Sequence, residues 1–127
     1  MRKDILSING NRPMNFLLQN VLSTKYNFIA VDDVFQGVHQ LKKRQEIELV
    51  LIDVDSHTQE CWDFIQHIKT SRFYQDKQIV ILVSKDNKRI NEIKTLGDCS
   101  FFYKPFSPLD MIKTVDELMF AEESKIN

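Results

Sequence analysis

Five short apolar runs punctuate the chain, at positions 5–8, 28–31, 49–52, 79–83 and 101–103. Each is continuous rather than alternating, which is the pattern of strands covered on both faces, and so predicts a parallel sheet. Between the runs the period changes. Met14, Leu17, Leu18, Val21 and Leu22 recur at i, i+3, i+4, i+7 and i+8, and Cys61, Phe64, Ile65 and Ile68 do the same, so both segments predict amphipathic helices. Asp33 followed by Gln36 marks the start of a helix carrying Val34, Val38 and Leu41. Ser107-Pro108 opens another that buries Met111, Ile112, Val115, Leu118 and Met119. Segment 87–96 is the weakest helix, with only Ile90, Ile93 and Leu96 on a polar background and Gly97 as its stop.

The resulting order βαβαβαβαβα predicts an α/β fold, a doubly wound five-stranded parallel sheet of the flavodoxin-like (βα)5 kind. At 127 residues the chain suits a single domain, 1–127, with its core over about 3–120 and a polar, frayed tail at 121–127. Lys plus Arg number 17 against 18 Asp plus Glu, which argues against a dedicated nucleic-acid binder and for protein partners. No apolar run approaches the roughly 20 residues of a membrane span, and the N-terminus lacks the apolar stretch of a signal peptide. The expected location is therefore cytoplasmic, with no membrane partner. Cys61 and Cys99 have no Cys-x-x-Cys or Cys/His spacing and read as buried thiols.

In such a sheet, chemistry gathers outside the carboxyl ends of the strands. Those ends offer Asn9 and Gly10, Asp32 and Asp33, Asp53, Ser84, and Lys104-Pro105. Asp53 closing the third run, Ser84 closing the fourth and Lys104-Pro105-Phe106 closing the fifth together resemble response-regulator receiver domains, the CheY-like family, over about 3–118. The resemblance implies a signalling module of a two-component phosphorelay, not an enzyme beyond autophosphotransfer to Asp53. It implies that Asp53 accepts a phosphoryl group from a histidine kinase or phosphotransfer protein. The residue types suit this: a carboxylate nucleophile, an ammonium in Lys104 to offset phosphoryl charge, and a hydroxyl in Ser84 to bond one oxygen. It also implies that Ser84 and Phe101 act as the switch read by a downstream protein effector. That effector is a separate molecule unless the chain is part of a longer protein. A homodimer through the last helix and strand is expected by the same analogy.

The departures matter as much. The acidic pair that receivers carry after the first strand reads Asn9 and Gly10 here, so a magnesium ion, if held by Asp53, Asp55 and Asn9, is expected to be held weakly. The loop 54–60 carries Ser56-His57 in place of the usual Met-Pro, and Cys61 in place of Gly. Asn9-Gly10-Asn11 reads equally as a turn and helix cap, Asp53 alone as a turn residue, and Lys104 as a plain cation paired with it. A phosphorylation-independent scaffold of the receiver shape is therefore the alternative function. An aspartyl-phosphate-forming phosphatase, suggested by Ile52-Asp53-Val54-Asp55, is disfavoured because Asp53 ends the third run and no acidic pair follows Lys104. Asp53, Asp55 and His57 alternate, but an expected loop from Asp55 onward argues against a transition-metal site. His39 and His67 fall on solvent faces of helices, Trp62 lies off its helix's apolar stripe, and Lys42, Lys43 and Arg44 read as a solvated helix end.

Overall fold

The five apolar runs form strands that each extend by one to three residues beyond the apolar core of the run. In a computed structural model describing residues 2–121, they are β1 (Asp4–Ile8), β2 (Asn27–Val31), β3 (Ile47–Asp53), β4 (Gln78–Ser84) and β5 (Ser100–Lys104). The helices are α1 (Arg12–Leu22), α2 (Val34–Lys43), α3 (Thr58–Thr70), α4 (Ile90–Ile93) and α5 (Pro108–Met119). Residues 122–127 of the expected tail lie outside the described residues. All strands pair in parallel in the order β2-β1-β3-β4-β5, so strand order reverses between β1 and β3.

Side-chain alternation along β3 divides the interior in two. Val50 and Ile52 join Leu6, Ile8, Leu41, Phe64, Ile65 and Ile68 beneath α2 and α3, whereas Leu49 and Leu51 join Leu18, Leu22, Met111 and Val115 beneath α1 and α5. Both faces are thus covered, as the continuous apolar runs predicted. Helix starts follow local chemistry. The Asn11 side chain accepts the Met14 N–H, Asp33 accepts that of Gln36, and Ser107 accepts that of Asp110.

The structure corrects several sequence expectations. Leu17 is exposed, and the fully covered positions of α1 are Leu18, Leu22 and the polar Asn15. Asn15 is tolerated because the Ser7 hydroxyl donates to its Oδ1 (2.6 Å) and its Nδ2 donates to the Val31 carbonyl (3.2 Å). Helix α4 is a single turn, not a helix over 87–96. Its cap Arg89 makes no side-chain cap bond, and burial anchors only Ile93 and Leu96. The left-handed residue after it is Asp98 (φ 57°), not Gly97. Helix α3 begins at Thr58, so the loop expected over 54–60 is shorter. Arg44 is not merely solvated, since it pairs with Asp4 at 3.6 Å.

Gly37 on α2 sits where α2 crosses β1 most closely. A Cβ there would meet Ile8 Cδ1 at 2.5 Å and Cγ1 at 2.9 Å. Alanine would gain about 1 kcal/mol of helix propensity, yet the overlap with a buried side chain costs about 1–3 kcal/mol. Gly37→Ala is expected to lower stability by about 1 kcal/mol in urea unfolding, where an ordinary helix glycine would show a gain.

Candidate functional site

Asp53 ends β3 beside the point of strand reversal, where a doubly wound sheet opens its crevice. The register then sets its neighbours: Asp53 lies opposite Leu82, and Ser84 lies opposite Lys104. Three successive strand ends therefore deliver a carboxylate, a hydroxyl and an ammonium to one place.

The Asp53 carboxylate is buried (the residue is 4% exposed) and is held at both oxygens. Oδ1 accepts the Asp55 backbone N–H at 2.9 Å, and Oδ2 receives the Lys104 ammonium. Lys104 also donates to Asp55 Oδ2 at 2.8 Å. Burial alone would lower the Lys104 pKa, but its hydrogen bonds to Asp53 and Asp55 outweigh this and raise it, so the ammonium stays charged. Asp55 turns toward Ser84, accepting its backbone N–H (3.0 and 3.1 Å) and its hydroxyl (2.6 Å), and also accepts Asn87 Nδ2 (2.8 Å). Burial would raise the Asp55 carboxyl, yet hydrogen bonds from Lys104, Ser84 and Asn87 bring it down to about 2.

This donor set does not fit a resident divalent cation. Asn9 is buried, its Oδ1 accepts the Asn11 N–H at 2.8 Å, and its Nδ2, a donor, has no hydrogen-bond partner among the described residues. Gly10 has no side chain, and both carboxylates already face an ammonium. Magnesium needs several free oxygens in octahedral geometry, and none of the three expected ligands offers a free carboxylate oxygen pair. His57 takes a left-handed conformation (φ 56°) as it leads into α3, and no group of three or more His, Cys, Asp or Glu side chains able to hold a metal occurs among the described residues. The alternation of Asp53, Asp55 and His57 thus does not converge.

The remaining candidates fall nearby. Phe101 is half-buried on β5 and packs against the α3 side of the core. Trp62 is partly buried with the Arg89 guanidinium 5.5 Å from its ring centre, linking α3 to the segment after β4. His39 and His67 are exposed, as expected. Asn87 was not singled out by the sequence, although an Asn three residues beyond the Ser at a strand end is a signal of loop chemistry that could have found it.

Cys61 lies directly under the site, its thiol 3.5 Å from the Asp53 carbonyl oxygen and 3.6 Å from that of Ser56. Burial first, then the charges of Asp53 and Glu60, push its pKa up to about 12. At pH 8 it is expected to resist iodoacetamide in the folded protein while half-buried Cys99 is modified first. Peptide mass mapping reads this, and labelling of both thiols at equal rates would contradict it.

Comparison with solved structures gives the shape a name. The receiver domain of an HD-domain-containing protein from Pseudomonas fluorescens Pf-5 superposes with a TM-score of 0.83 at 18% identity, covering 98% of this chain and 99% of that one. The chain has the receiver fold. A response-regulator-receiver-modulated diguanylate cyclase from Pelobacter carbinolicus matches with a TM-score of 0.78 at 20% identity over 97% of both chains. The chemotaxis response regulator CheY4 of Vibrio cholerae matches with a TM-score of 0.78 at 16% identity over 93% of this chain and 99% of that one. No protein-family model and no curated protein matches the sequence. At these identities the receiver shape is what is shared. No helix among the described residues is long and apolar enough to cross a membrane.

Proposed function

We propose that this chain is a receiver-type module of a two-component phosphorelay that signals through protein contacts, with Asp53 at the phosphoacceptor position. The observation that carries this reading is the meeting of Asp53, Ser84 and Lys104 at the ends of β3, β4 and β5, with the ammonium on the carboxylate. A histidine kinase or phosphotransfer protein is the phosphoryl donor, and a downstream protein module the effector. The edge strand β5 and α5, where Leu109 is 77% exposed, form the face for an effector or a second copy. The near balance of 17 basic and 18 acidic residues gives no basic field for nucleic acid.

A second reading is favoured by a specific observation. Asn9 and Gly10 supply no carboxylate, and Asp55 engages both Ser84 and Lys104. A scaffold of the receiver shape that works without phosphate would show both features.

Intact-mass spectrometry after incubation with acetyl phosphate, across a range of magnesium, separates the two. Slow phosphoryl addition to the native chain and none to Asp53→Asn is the expected result. Absence of addition to the native chain at every magnesium concentration would leave the scaffold.

A further inference from the structure

Four donor groups converge on one small volume beside Asp53. They are the Ser84 backbone N–H, the Ser84 hydroxyl, the Asn87 side-chain amide and the Lys104 ammonium. No cation would satisfy such a set; with an ammonium among the donors it suits an anion, whose bonds there are charge-assisted. What fills it is a side chain. Asp55 spans the cradle with both oxygens, at 2.6–3.1 Å from its partners.

We propose that the Asp55 carboxylate is a built-in occupant of an oxyanion cradle made by Ser84, Asn87 and Lys104. A phosphoryl group or free phosphate can enter only by displacing it. The inference deepens the proposed function, on which it rests only for the source of the competing oxyanion. A phosphoryl group on Asp53 would need Lys104 and Ser84 for its oxygens, and both are already bonded to Asp55. The segment after β4 is accordingly held to β3 by the chain's own charge, without any bound group.

Displacement is physically open to Asp55. Its side chain is 22% exposed and borders an open cleft of about 540 Å³ lined also by Thr58, Ser84, Asp86, Asn87, Lys88 and Arg89. Lys88 brings one cation to that cleft and Asp86 one acid, while Arg89 is paired with Glu92 at 3.0 Å, and the Asp55 carboxylate has solvent to turn into. Asp53, by contrast, is sealed, so the exchange has one mobile partner.

The test uses Asp53→Asn and Asp53→Asn/Asp55→Ala, titrated with inorganic phosphate and followed at the Ser84 and Lys104 backbone amides by NMR. Neutral position 53 removes the adjacent charge that would repel phosphate, and makes the result independent of whether Asp53 accepts a phosphoryl group. The double variant is expected to bind phosphate at least tenfold more tightly than the single one, with the largest shifts at Ser84. Should alanine at 55 unfold the domain, Asp55→Asn in the same background removes the charge with less loss of packing and is expected to show a smaller gain in the same direction. Acetyl phosphate added to Asp55→Ala assigns the source: faster addition to Asp53 means the acyl phosphate is the competitor, unchanged addition that it is free phosphate. Equal phosphate affinity in the two Asp53→Asn backgrounds, or binding in neither, would overturn the proposal.

Discussion

Lys104→Met is expected to lower the unfolding free energy by about 3 kcal/mol, the largest loss from any single change at the strand ends. Among the described residues the Lys104 ammonium is the one cation shared by Asp53 and Asp55, and its own side chain is only 19% exposed. Without it Asp55 keeps Ser84 and Asn87, but among the described residues the nearly sealed Asp53 carboxylate keeps only the Asp55 N–H. An uncompensated carboxylate in that position carries its full desolvation penalty. Asp53→Asn should restore part of the loss, because an amide oxygen can still accept the Asp55 N–H and no charge is left stranded. Urea unfolding of both single variants and the double variant measures the coupling, expected at about 1–2 kcal/mol. Strict additivity of the two losses would mean that the ion pair is solvated in solution and holds nothing.

The second large effect comes from putting carboxylates where receivers have them. Asn9→Asp/Gly10→Asp should destabilise the protein in the absence of metal and make its melting temperature depend on magnesium. A side chain at Gly10 has room, since its Cβ would lie 3.6 Å from Ser56 Cβ and 3.7 Å from the Asp32 carbonyl, ordinary contact distances. Position 9 is buried beside Asp53, so a new carboxylate there adds like charge in a low-dielectric place. Magnesium at about a hundred times its dissociation constant would return on the order of 2–3 kcal/mol, a rise of roughly 5–10 °C for a domain of this size. The native chain should show no magnesium dependence. An unresponsive double variant would show that the closure of the site by Lys104 and Asp55 excludes the cation even when carboxylates are present.

The fold was legible because burial writes itself plainly into a parallel sheet. Each of the five strands contains one of the apolar runs, and Cys61, Phe64, Ile65 and Ile68 all point inward from α3 as their spacing predicts. What the periodicity missed was polar or small. Asn15 and Ser7 are buried only because they satisfy each other, a pairing between distant positions that no local pattern carries. Gly37 is needed for the approach of α2 to Ile8, and a glycine in a helical segment looks the same whether it is needed or not. Helix α4 is one turn because its segment is mostly polar and only Ile93 and Leu96 are buried, while Asn87 ties the preceding turn to Asp55 and to the Arg89 N–H.

At the site, the strand ends told where Asp53, Ser84 and Lys104 would meet, because parallel register brings equivalent ends together. The role of Asp55 was not visible. A residue two beyond a strand end can turn its side chain to the metal side or to the β4 side, and only the convergence of Ser84, Asn87 and Lys104 decides between them. The missing acidic pair and the engaged Asp55 are then two aspects of one arrangement: with Asn9 and Gly10 after β1, the ammonium of Lys104 is shared by two carboxylates.

That arrangement can be seen directly in a crystal structure grown from solution containing millimolar magnesium. The account predicts Lys104 Nζ within hydrogen-bonding distance of both Asp53 and Asp55, the Ser84 hydroxyl on Asp55, and no cation beside Asp53. A magnesium ion coordinated by Asp53, with Asp55 turned away from Ser84 and Lys104, would contradict it.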